Sequence, residues 1–335
     1  MLRILQVAAG SMGNRRLRDL SARTDVELAV FDSRPDRLQA AGERFDIRQF
    51  GDFEEALAWN PQALSISTPP DQHDRYIELA LQLGLHHFCE ANLWTMNPQQ
   101  VADAQKKEPM VCAPSNSMHF LPIVKELRRI VHEELGRLHS YQLTLNTYYC
   151  DWHPGEGPEF YARNRNTSAG REMVPFELLY LNKVFGTPVE VDGRVSRVSS
   201  LPDVLEDTWS LQMKLDNGAV GQFTVLHGCP GAFRRGCFFG DRGQVAFDIF
   251  GGTIERSFRG KLEDTRSFGE MKDVLEAAYR EETNAFIAAI EGKESWPQTY
   301  AESAIATATL AAAEQSALCR KPVKVDPLVQ PQHLQ

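Results

Sequence analysis

The sequence predicts an α/β protein in which a doubly wound parallel sheet is followed by an α+β domain with a large, mostly antiparallel open sheet. Three observations lead to this fold class. Short apolar runs alternate with helical patterns over the first 120 residues, as in the βαβ units that build a parallel sheet. A glycine-rich turn separates the first run from the first helix. Beyond residue 136, most strand-like runs follow one another directly, which favours antiparallel pairing.

Length and composition indicate a globular protein of two domains. The chain has 335 residues, and domains have about 150 residues each. We therefore predict one domain over 1–120 and a substrate-binding and oligomerisation domain over 121–335, and leave open that the last helix packs back on the first domain. Apolar residues make up 42% and charged residues 24% of the chain, as in ordinary globular proteins. No apolar run is long enough to cross a membrane, and no signal-peptide pattern precedes the first strand.

The net charge and the cysteine spacing limit the cellular locations and the binding partners to expect. The chain carries 36 Lys+Arg against 45 Asp+Glu, for a net charge of −9, which disfavours a nucleic acid or a membrane surface as a partner. Its six cysteines are scattered and form no Cys-x-x-Cys pair, a pattern that fits reduced thiols better than disulfides or a zinc site. We expect a cytoplasmic protein without a metal, a nucleic-acid partner or a membrane partner.

The first half is predicted to alternate between strands and helices throughout. Apolar runs mark the strands, and segments with helical spacing, one of them closed by Gly84, mark the helices. The predicted strands cover 4–9, 26–31, 63–67, 86–89 and 110–112; the predicted helices follow Gly13 and cover 35–45, 53–59, 73–84 and 97–106.

The second half begins with a helix over 122–135 and then becomes rich in strands. Asp216-Asn217-Gly218 is a hairpin signal between two of them. Two helices end the chain, and the second begins with the capping box Thr299-x-x-Glu302. Arg15-Arg16 is expected on a solvated helix face, and Arg234-Arg235 is expected at the surface or in an interface. Strands are predicted over 138–149, 188–199, 207–215, 219–227 and 244–249, and further helices over 176–185 and 270–291.

A dinucleotide fingerprint lies where the first strand meets the first helix. Ala8-x-Gly10-x-x-Gly13 matches G-x-G-x-x-G with alanine in the first glycine position. The second glycine lets the backbone approach a pyrophosphate, and the third allows close packing of helix on strand. The start of the helix offers free N–H groups to the phosphates. Asp32 ends the second strand, where a carboxylate accepts the ribose hydroxyls. The first domain is therefore predicted to be a Rossmann domain.

The predicted cofactor is NAD, because the Asp32 carboxylate would repel a 2′-phosphate. Arg34 and Arg37 follow closely in the sequence and could attract one, so NADP stays open. The residues predicted to bind the cofactor from this motif are Gly10, Ser11, Met12, Gly13, Asp32, Ser33 and Arg34.

A second pattern extends from Ser67 to Glu90. Ser-Thr-Pro-Pro-Asp-Gln-His over 67–73 is followed by a helix and by Gly-Leu-His-His-Phe-Cys-Glu over 84–90. Together they resemble the Gfo/Idh/MocA family, the relatives of glucose–fructose oxidoreductase and inositol dehydrogenase, over nearly the whole chain. The resemblance implies a C-terminal sheet with a sugar site on one face and a partner subunit on the other, in a homodimer or homotetramer. It also implies a nicotinamide-side channel lined by Ser67, Thr68, Pro69, His73 and Glu90.

The chain departs from this family at its catalytic positions. The family's Glu-Lys-Pro reads Glu90-Ala91-Asn92, so the lysine is absent. Counting back from the glycine that closes the next helix, the family's histidine falls on Phe176 and its second acid on Leu179, whereas Glu172 keeps a carboxylate at the first acidic position. Another group must therefore take the hydroxyl proton when an alcohol is oxidised.

A polar and aromatic segment over 148–172 offers replacements, and we expect it to form a long loop over the sheet. His153 is the first candidate for the acid/base, and Glu172 and Tyr161 are further catalytic candidates. Alternatively, His153 is an ordinary loop histidine, Glu172 forms a structural ion pair, and Tyr161 is a packed tyrosine. Arginine forks in this segment could also hold a carboxylate, so a sugar acid stays open. The predicted substrate-binding residues are Asn92, Trp152, Arg163 and Arg171.

These observations favour an NAD(P)-dependent oxidoreductase that transfers a hydride at a carbinol carbon of a sugar, cyclitol or sugar-like compound. Two alternatives stay open. An enzyme could recycle its bound NAD internally and catalyse elimination or hydrolysis without net redox change, as some members of this broad family do. A non-catalytic dinucleotide-binding sensor could have kept the fold after losing the lysine. Fold alone does not decide among them.

Overall fold

A computed structural model gives the structure of the protein and describes residues 1–91, 97–152, 164–201, 206–329 and 331. The chain forms two compact units. The first comprises Met1–Ser117 and Ala277–Ser303, and the second comprises Met118–Glu276 and Ala304–Gln335. In the described parts, no helix is both long enough and apolar enough to span a membrane.

The first unit contains a six-stranded sheet in which every pairing is parallel. Its order is β3-β2-β1-β4-β5-β6, the doubly wound arrangement that the sequence predicts. The short strand β3 was not predicted, because it is largely exposed and carries no apolar run. The strands are β1 Leu2–Val7, β2 Val26–Phe31, β3 Arg48–Phe50, β4 Ala63–Ile66, β5 His86–Cys89 and β6 Cys112–Pro114.

Helices cover both faces of this sheet, so its longer strands contribute to two apolar clusters. Leu5 and Val7 of β1 belong to one cluster, and Ile4 belongs to the other. Phe286 packs in the second cluster, and its helix is accordingly shared between the two units. The α-helices within Met1–Ser117 are α1 Ser11–Ser21, α2 Pro35–Phe45, α3 Phe53–Ala58, α4 His73–Leu83 and α5 Pro98–Lys107.

The second unit contains a nine-stranded sheet of order β14-β13-β12-β11-β7-β10-β9-β8-β15. Only β7 and β10 pair in parallel, and the remaining pairings are antiparallel. The predicted fold class is therefore confirmed. The strands are β7 Leu138–Thr147, β8 Pro188–Ser196, β9 Thr208–Leu215, β10 Val220–Leu226, β11 Ala232–Gly240, β12 Gly243–Asp248, β13 Thr253–Phe258, β14 Lys261–Ser267 and β15 Val323–Lys324.

The sequence patterns located the turns and caps in the second half of the chain better than its edge strands. Gly218 has a φ of 84° in the predicted hairpin between β9 and β10, and the capping box is formed, with Thr299 N donating to Glu302 Oε2 over 2.7 Å. Strands β11, β13, β14 and β15 lie outside the predicted strand ranges. The side chains of β14, for example, are mostly exposed and lack apolar alternation. The helices here are α6 Pro122–Arg129, which continues as a π-helical turn over Ile130–Glu134, α7 Ala169–Phe185, α8 Met271–Ile290 and α9 Tyr300–Cys319.

Helix α7 begins earlier than the sequence predicted. Its first turns lie in the segment that we expected to be loop. Gly170 and Pro175 both disfavour a helical backbone, yet the helix includes them. Gly170 instead packs directly on Trp209, where any Cβ would collide with the indole ring. The helix therefore carries Arg171 and Glu172 as helical residues.

Candidate functional site

The turn between β1 and α1 is held by side-chain amides that satisfy its carbonyl groups. Gln6 is fully buried and donates from Nε2 to the carbonyl oxygen of Ala8 over 2.9 Å. Asn14 donates from Nδ2 to the carbonyl oxygen of Ala9 over 2.6 Å. Gly10 is the N-cap, and no side chain caps the helix. The N–H groups of the first turn have no acceptor within a helix, so α1 offers them to an anion.

The backbone of this turn explains its glycine requirement. A Cβ on Gly13 would collide with the carbonyl oxygen of Ala8, so only glycine fits at this position. Ala8 occupies the first glycine position of the fingerprint with a φ of 72°, in the left-handed region that glycine adopts most easily. The alanine keeps the conformation of the fingerprint despite its Cβ. The residues of the turn thus fit a dinucleotide pyrophosphate.

Asp32 lies at the end of β2 beside this turn, with only 6% of its surface exposed. Its Oδ2 accepts the N–H of Ala9 over 2.7 Å, and its Oδ1 accepts the N–H of Arg34 over 2.8 Å. Each carboxylate oxygen can accept a further hydrogen bond, which suits a pair of ribose hydroxyls. Arg34 itself pairs with the exposed Asp36, with 2.6 Å between Nη2 and Oδ2, and the neighbouring Ser33 is exposed.

The nicotinamide-side candidates lie where β4 and β5 end, at the carboxyl edge of the parallel sheet. Nε2 of the buried His73 lies 2.9 Å from the carbonyl oxygen of Thr68. Ser67 Oγ donates to Glu90 Oε1 over 3.4 Å. Thr68 Oγ1 is buried and has no hydrogen-bond partner among the described residues. Pro69 is exposed at the same edge. An unsatisfied hydroxyl at this edge of an open α/β sheet fits a site for a polar ligand.

The catalytic and substrate-binding candidates are only partly described. Asn92, His153, Tyr161 and Arg163 lie outside the described residues. Trp152 packs its ring edge-on against His227, with 5.5 Å between the ring centres.

Glu172 and Arg171 are neighbours on α7 with different surroundings. Glu172 is half-buried in the first turn, and Phe176 is half-buried one turn further on the same face, whereas Leu179 is buried. Arg171 is 1% exposed and binds Glu314 through two hydrogen bonds of 2.6 and 2.7 Å. Its guanidinium is thus engaged in an internal ion pair.

Sequence reasoning missed the residues that hold the glycine turn and Glu90 in place. Gln6 and Asn14 fix the glycine turn, and Arg16, which we expected at the surface, is buried against Glu90. The sequence did contain a signal for Gln6, because Gln6 is a polar residue within the apolar run of β1 and a buried amide needs hydrogen-bond partners. No spacing rule connects Arg16 to Glu90.

Two buried histidines, one in each unit, are held neutral. His87 is fully buried, and its Nε2 lies 2.8 Å from the hydroxyl of Tyr300. His227 is also fully buried, and its Nδ1 lies 3.1 Å from the carbonyl oxygen of Thr147. Burial lowers the pKa of each to about 4. Among the described residues, no cluster of three His, Cys, Asp or Glu side chains could hold a metal.

These histidines should make the protein less stable in mild acid. The unfolded histidine has a pKa of about 6.5, so the unfolded state binds the proton first, and stability falls as the pH drops from about 6.5 to about 4. Between pH 7 and pH 4.5, the buried His87 should lower the unfolding free energy by about 2 to 3 kcal/mol. We expect His87→Asn to abolish this part of the pH dependence, measured by urea denaturation. His139→Asn, at an exposed histidine, is the control. An unchanged pH dependence in His87→Asn would contradict the assignment.

The sequence matches two models of one family. A model described as oxidoreductase family, NAD-binding Rossmann fold, matches residues 2–112, and the GFO/IDH/MocA C-terminal domain matches residues 124–246. No curated protein sequence matches the chain significantly. The fold and the glycine turn are thus those of the NAD-binding Rossmann oxidoreductases. The chain is a member of the GFO/IDH/MocA family, and NAD is its cofactor class, as predicted.

Solved structures share this architecture over almost the whole chain. GenD2 from gentamicin A biosynthesis, in complex with NAD, is 20% identical, with a TM-score of 0.81 over 97% of this chain and 96% of that chain. Levoglucosan dehydrogenase, in complex with NADH, is 17% identical, with a TM-score of 0.83 over 97% and 99%. A putative myo-inositol dehydrogenase from Sinorhizobium meliloti 1021 is 19% identical, with a TM-score of 0.79 over 97% and 100%. At these identities the likeness establishes a common fold.

Proposed function

We propose that the protein is an NAD-dependent dehydrogenase that oxidises a CH–OH group of a sugar, cyclitol or sugar-like compound. The observation that carries the proposal is the β1–α1 turn, in which Gly13 packs against Ala8 and Asp32 closes the turn through the N–H of Ala9. The names of two proteins with the same fold, levoglucosan dehydrogenase and putative myo-inositol dehydrogenase, support a polyhydroxylated substrate.

In this proposal the first unit holds and orients the cofactor. The N–H groups of Ser11, Met12 and Gly13 bind the pyrophosphate, since they lie in the first turn of α1. Asp32 accepts the adenosine ribose hydroxyls. The edge formed by Ser67, Thr68, Pro69, His73 and Glu90 faces the nicotinamide half. When bound, NAD supplies a hydride acceptor for the carbinol carbon.

The proton of the oxidised hydroxyl requires a base from this chain, because the family's lysine and histidine positions hold Ala91 and Phe176. We propose that His153 takes this proton, with Glu172 and Tyr161 as the other candidates. Trp152, Arg163 and Asn92 would bind the substrate, through an aromatic face and hydrogen bonds. A neutral imidazole can accept a proton near pH 7.

The test is a panel of sugars, cyclitols and sugar acids with NAD+, followed at 340 nm. We expect net NADH formation with at least one of them. In the same assay His153→Gln should lower kcat at least 100-fold, the usual contribution of a general base, and leave NAD+ binding unchanged. His139→Gln, at an exposed histidine, should have no effect.

The other outcomes identify the alternatives. Substrate conversion without net NADH would favour internal recycling of the cofactor. Cofactor binding without conversion of any compound would favour a sensor. Either result would contradict the dehydrogenase, and normal activity in His153→Gln would remove His153 from its proposed role.

We further propose that the nine-stranded sheet joins subunits of a homodimer or homotetramer. One face of the sheet is buried against α7, and the opposite face exposes polar side chains from its central strands, among them Gln142, Gln212 and Gln222. An open face of this size is suited to an isologous contact with a second copy. Light scattering would give the oligomer number, and a monomer would contradict the proposal.

A further inference from the structure

A buried charged cluster in the first unit centres on Arg16 of α1. Arg16 is 1% exposed. It donates from Nε and Nη2 to the two carboxylate oxygens of Glu90, over 2.8 and 3.2 Å. Nη2 also donates to Glu282 Oε2 over 2.6 Å. The guanidinium carbon lies 4.4 Å from the centre of the Phe88 ring, so the group is also fixed by stacking.

Glu282 supports this arrangement from the interior side. Its Oε1 accepts hydrogen bonds from Ser115 Oγ over 2.9 Å and from the N–H of Asn116 over 2.8 Å. Burial raises the pKa of Glu282, and Arg16 acts in the opposite direction. Although burial disfavours its charge, Arg16 has a pKa above its ordinary value because of Glu90 and Glu282. Arg16 is therefore a permanent cation between two carboxylates.

Of the three charged side chains of this cluster, that of Glu90 is the most exposed. The Glu90 side chain is 14% exposed, whereas those of Arg16 and Glu282 are 2% and 0% exposed. Glu90 follows β5 at the carboxyl edge of the parallel sheet, and Ser67 Oγ donates to it. Ligands of open α/β sheets bind at this edge. The Glu90 carboxylate is thus held at this edge by hydrogen bonds from Arg16 and Ser67.

We infer that Arg16 is a positioning residue that orients the Glu90 carboxylate toward the nicotinamide half of the cofactor. The inference rests on the proposed function. Arg16 lies one helical turn beyond Gly13, so one helix both offers its N-terminus to the pyrophosphate and fixes the carboxylate on the nicotinamide side. Only a guanidinium can bind Glu90 through two parallel bonds and still reach Glu282.

The test compares two ligands that differ by the nicotinamide ring. Dissociation constants for NADH and for ADP-ribose are measured by calorimetry on the wild type and on Arg16→Met and Arg16→Lys. We expect the ratio of the NADH constant to the ADP-ribose constant to rise at least threefold in Arg16→Met and to a smaller extent in Arg16→Lys. The control is Arg18→Met, on the same helix, where the arginine pairs with Asp19 and the ratio should not change.

An unchanged ratio in Arg16→Met overturns the inference, whether both constants stay the same or both rise together. If Arg16→Met does not fold, Arg16→Lys is judged by the same ratio. A wild type that binds neither ligand would contradict the proposed function itself. A wild type that binds both, with an unchanged ratio in the variants, would contradict only the role of Arg16.

Discussion

Replacing Gly13 by alanine is expected to lower the affinity for NAD+ at least 100-fold, about 3 kcal/mol. The added Cβ would collide with the carbonyl oxygen of Ala8, and Gln6 Nε2 holds that oxygen in place over 2.9 Å. The start of α1 must then move away from β1, and its N–H groups lose their aim at the pyrophosphate. Calorimetric titration with NAD+ measures the change.

Gly51→Ala is the matched control for this variant. A Cβ at Gly51 would meet only Leu38 Cδ2, at an ordinary distance of 3.9 Å. It should leave the affinity for NAD+ unchanged. Wild-type affinity in Gly13→Ala would show that the turn does not approach the cofactor and would contradict the site.

The largest effect on stability is expected from Arg234→Met. Arg234 is 5% exposed, and its Nη2 donates over 2.6 Å to Oε1 of Glu177, which is fully buried. The other oxygen of Glu177 accepts the hydroxyl of Tyr180 over 2.9 Å. Burial raises the pKa of Glu177, and Arg234 opposes this shift. Removing the arginine leaves an uncompensated buried carboxylate, which costs about 3 to 5 kcal/mol of unfolding free energy.

Urea denaturation of three variants tests this ion pair. The double variant Glu177→Gln with Arg234→Met should recover much of the loss, because no buried charge is left unpaired. Arg235→Met should cost less than about 1 kcal/mol, since Arg235 pairs with Asp248 at the surface. Equal costs for Arg234→Met and Arg235→Met would contradict the assignment.

Local patterns were sufficient to predict the parts of the molecule that depend on local geometry. Gly10 and Gly13 marked the dinucleotide turn because they come shortly after the end of β1. Asp32 was expected beside this turn because it comes directly after the end of β2. Alternation of apolar runs also predicted that there are two sheets, although the predicted ranges left out β11, β13, β14 and β15 of the second sheet.

The buried ion pairs could not be predicted, because their partners are far apart in sequence. Arg234 was expected at the surface or in an interface, but it lies on the buried side of β11 while Arg235 lies on the exposed side. Successive strand residues point to opposite faces, and a pair of arginines does not show which one is inward. Arg16 was wrongly placed at the surface for a related reason: only the fold brings Glu90 and Glu282 to it.

The most direct test of the central claim, that the β1–α1 turn and Asp32 bind a nicotinamide dinucleotide, is thermal melting with NAD+, NADH, NADP+ and NADPH. A ligand at 100 times its dissociation constant stabilises the folded state by about 2.7 kcal/mol, or several degrees in Tm. The structure predicts a clear rise with NAD+ or NADH. No rise with any of the four, and no dinucleotide released on denaturation, would contradict the account.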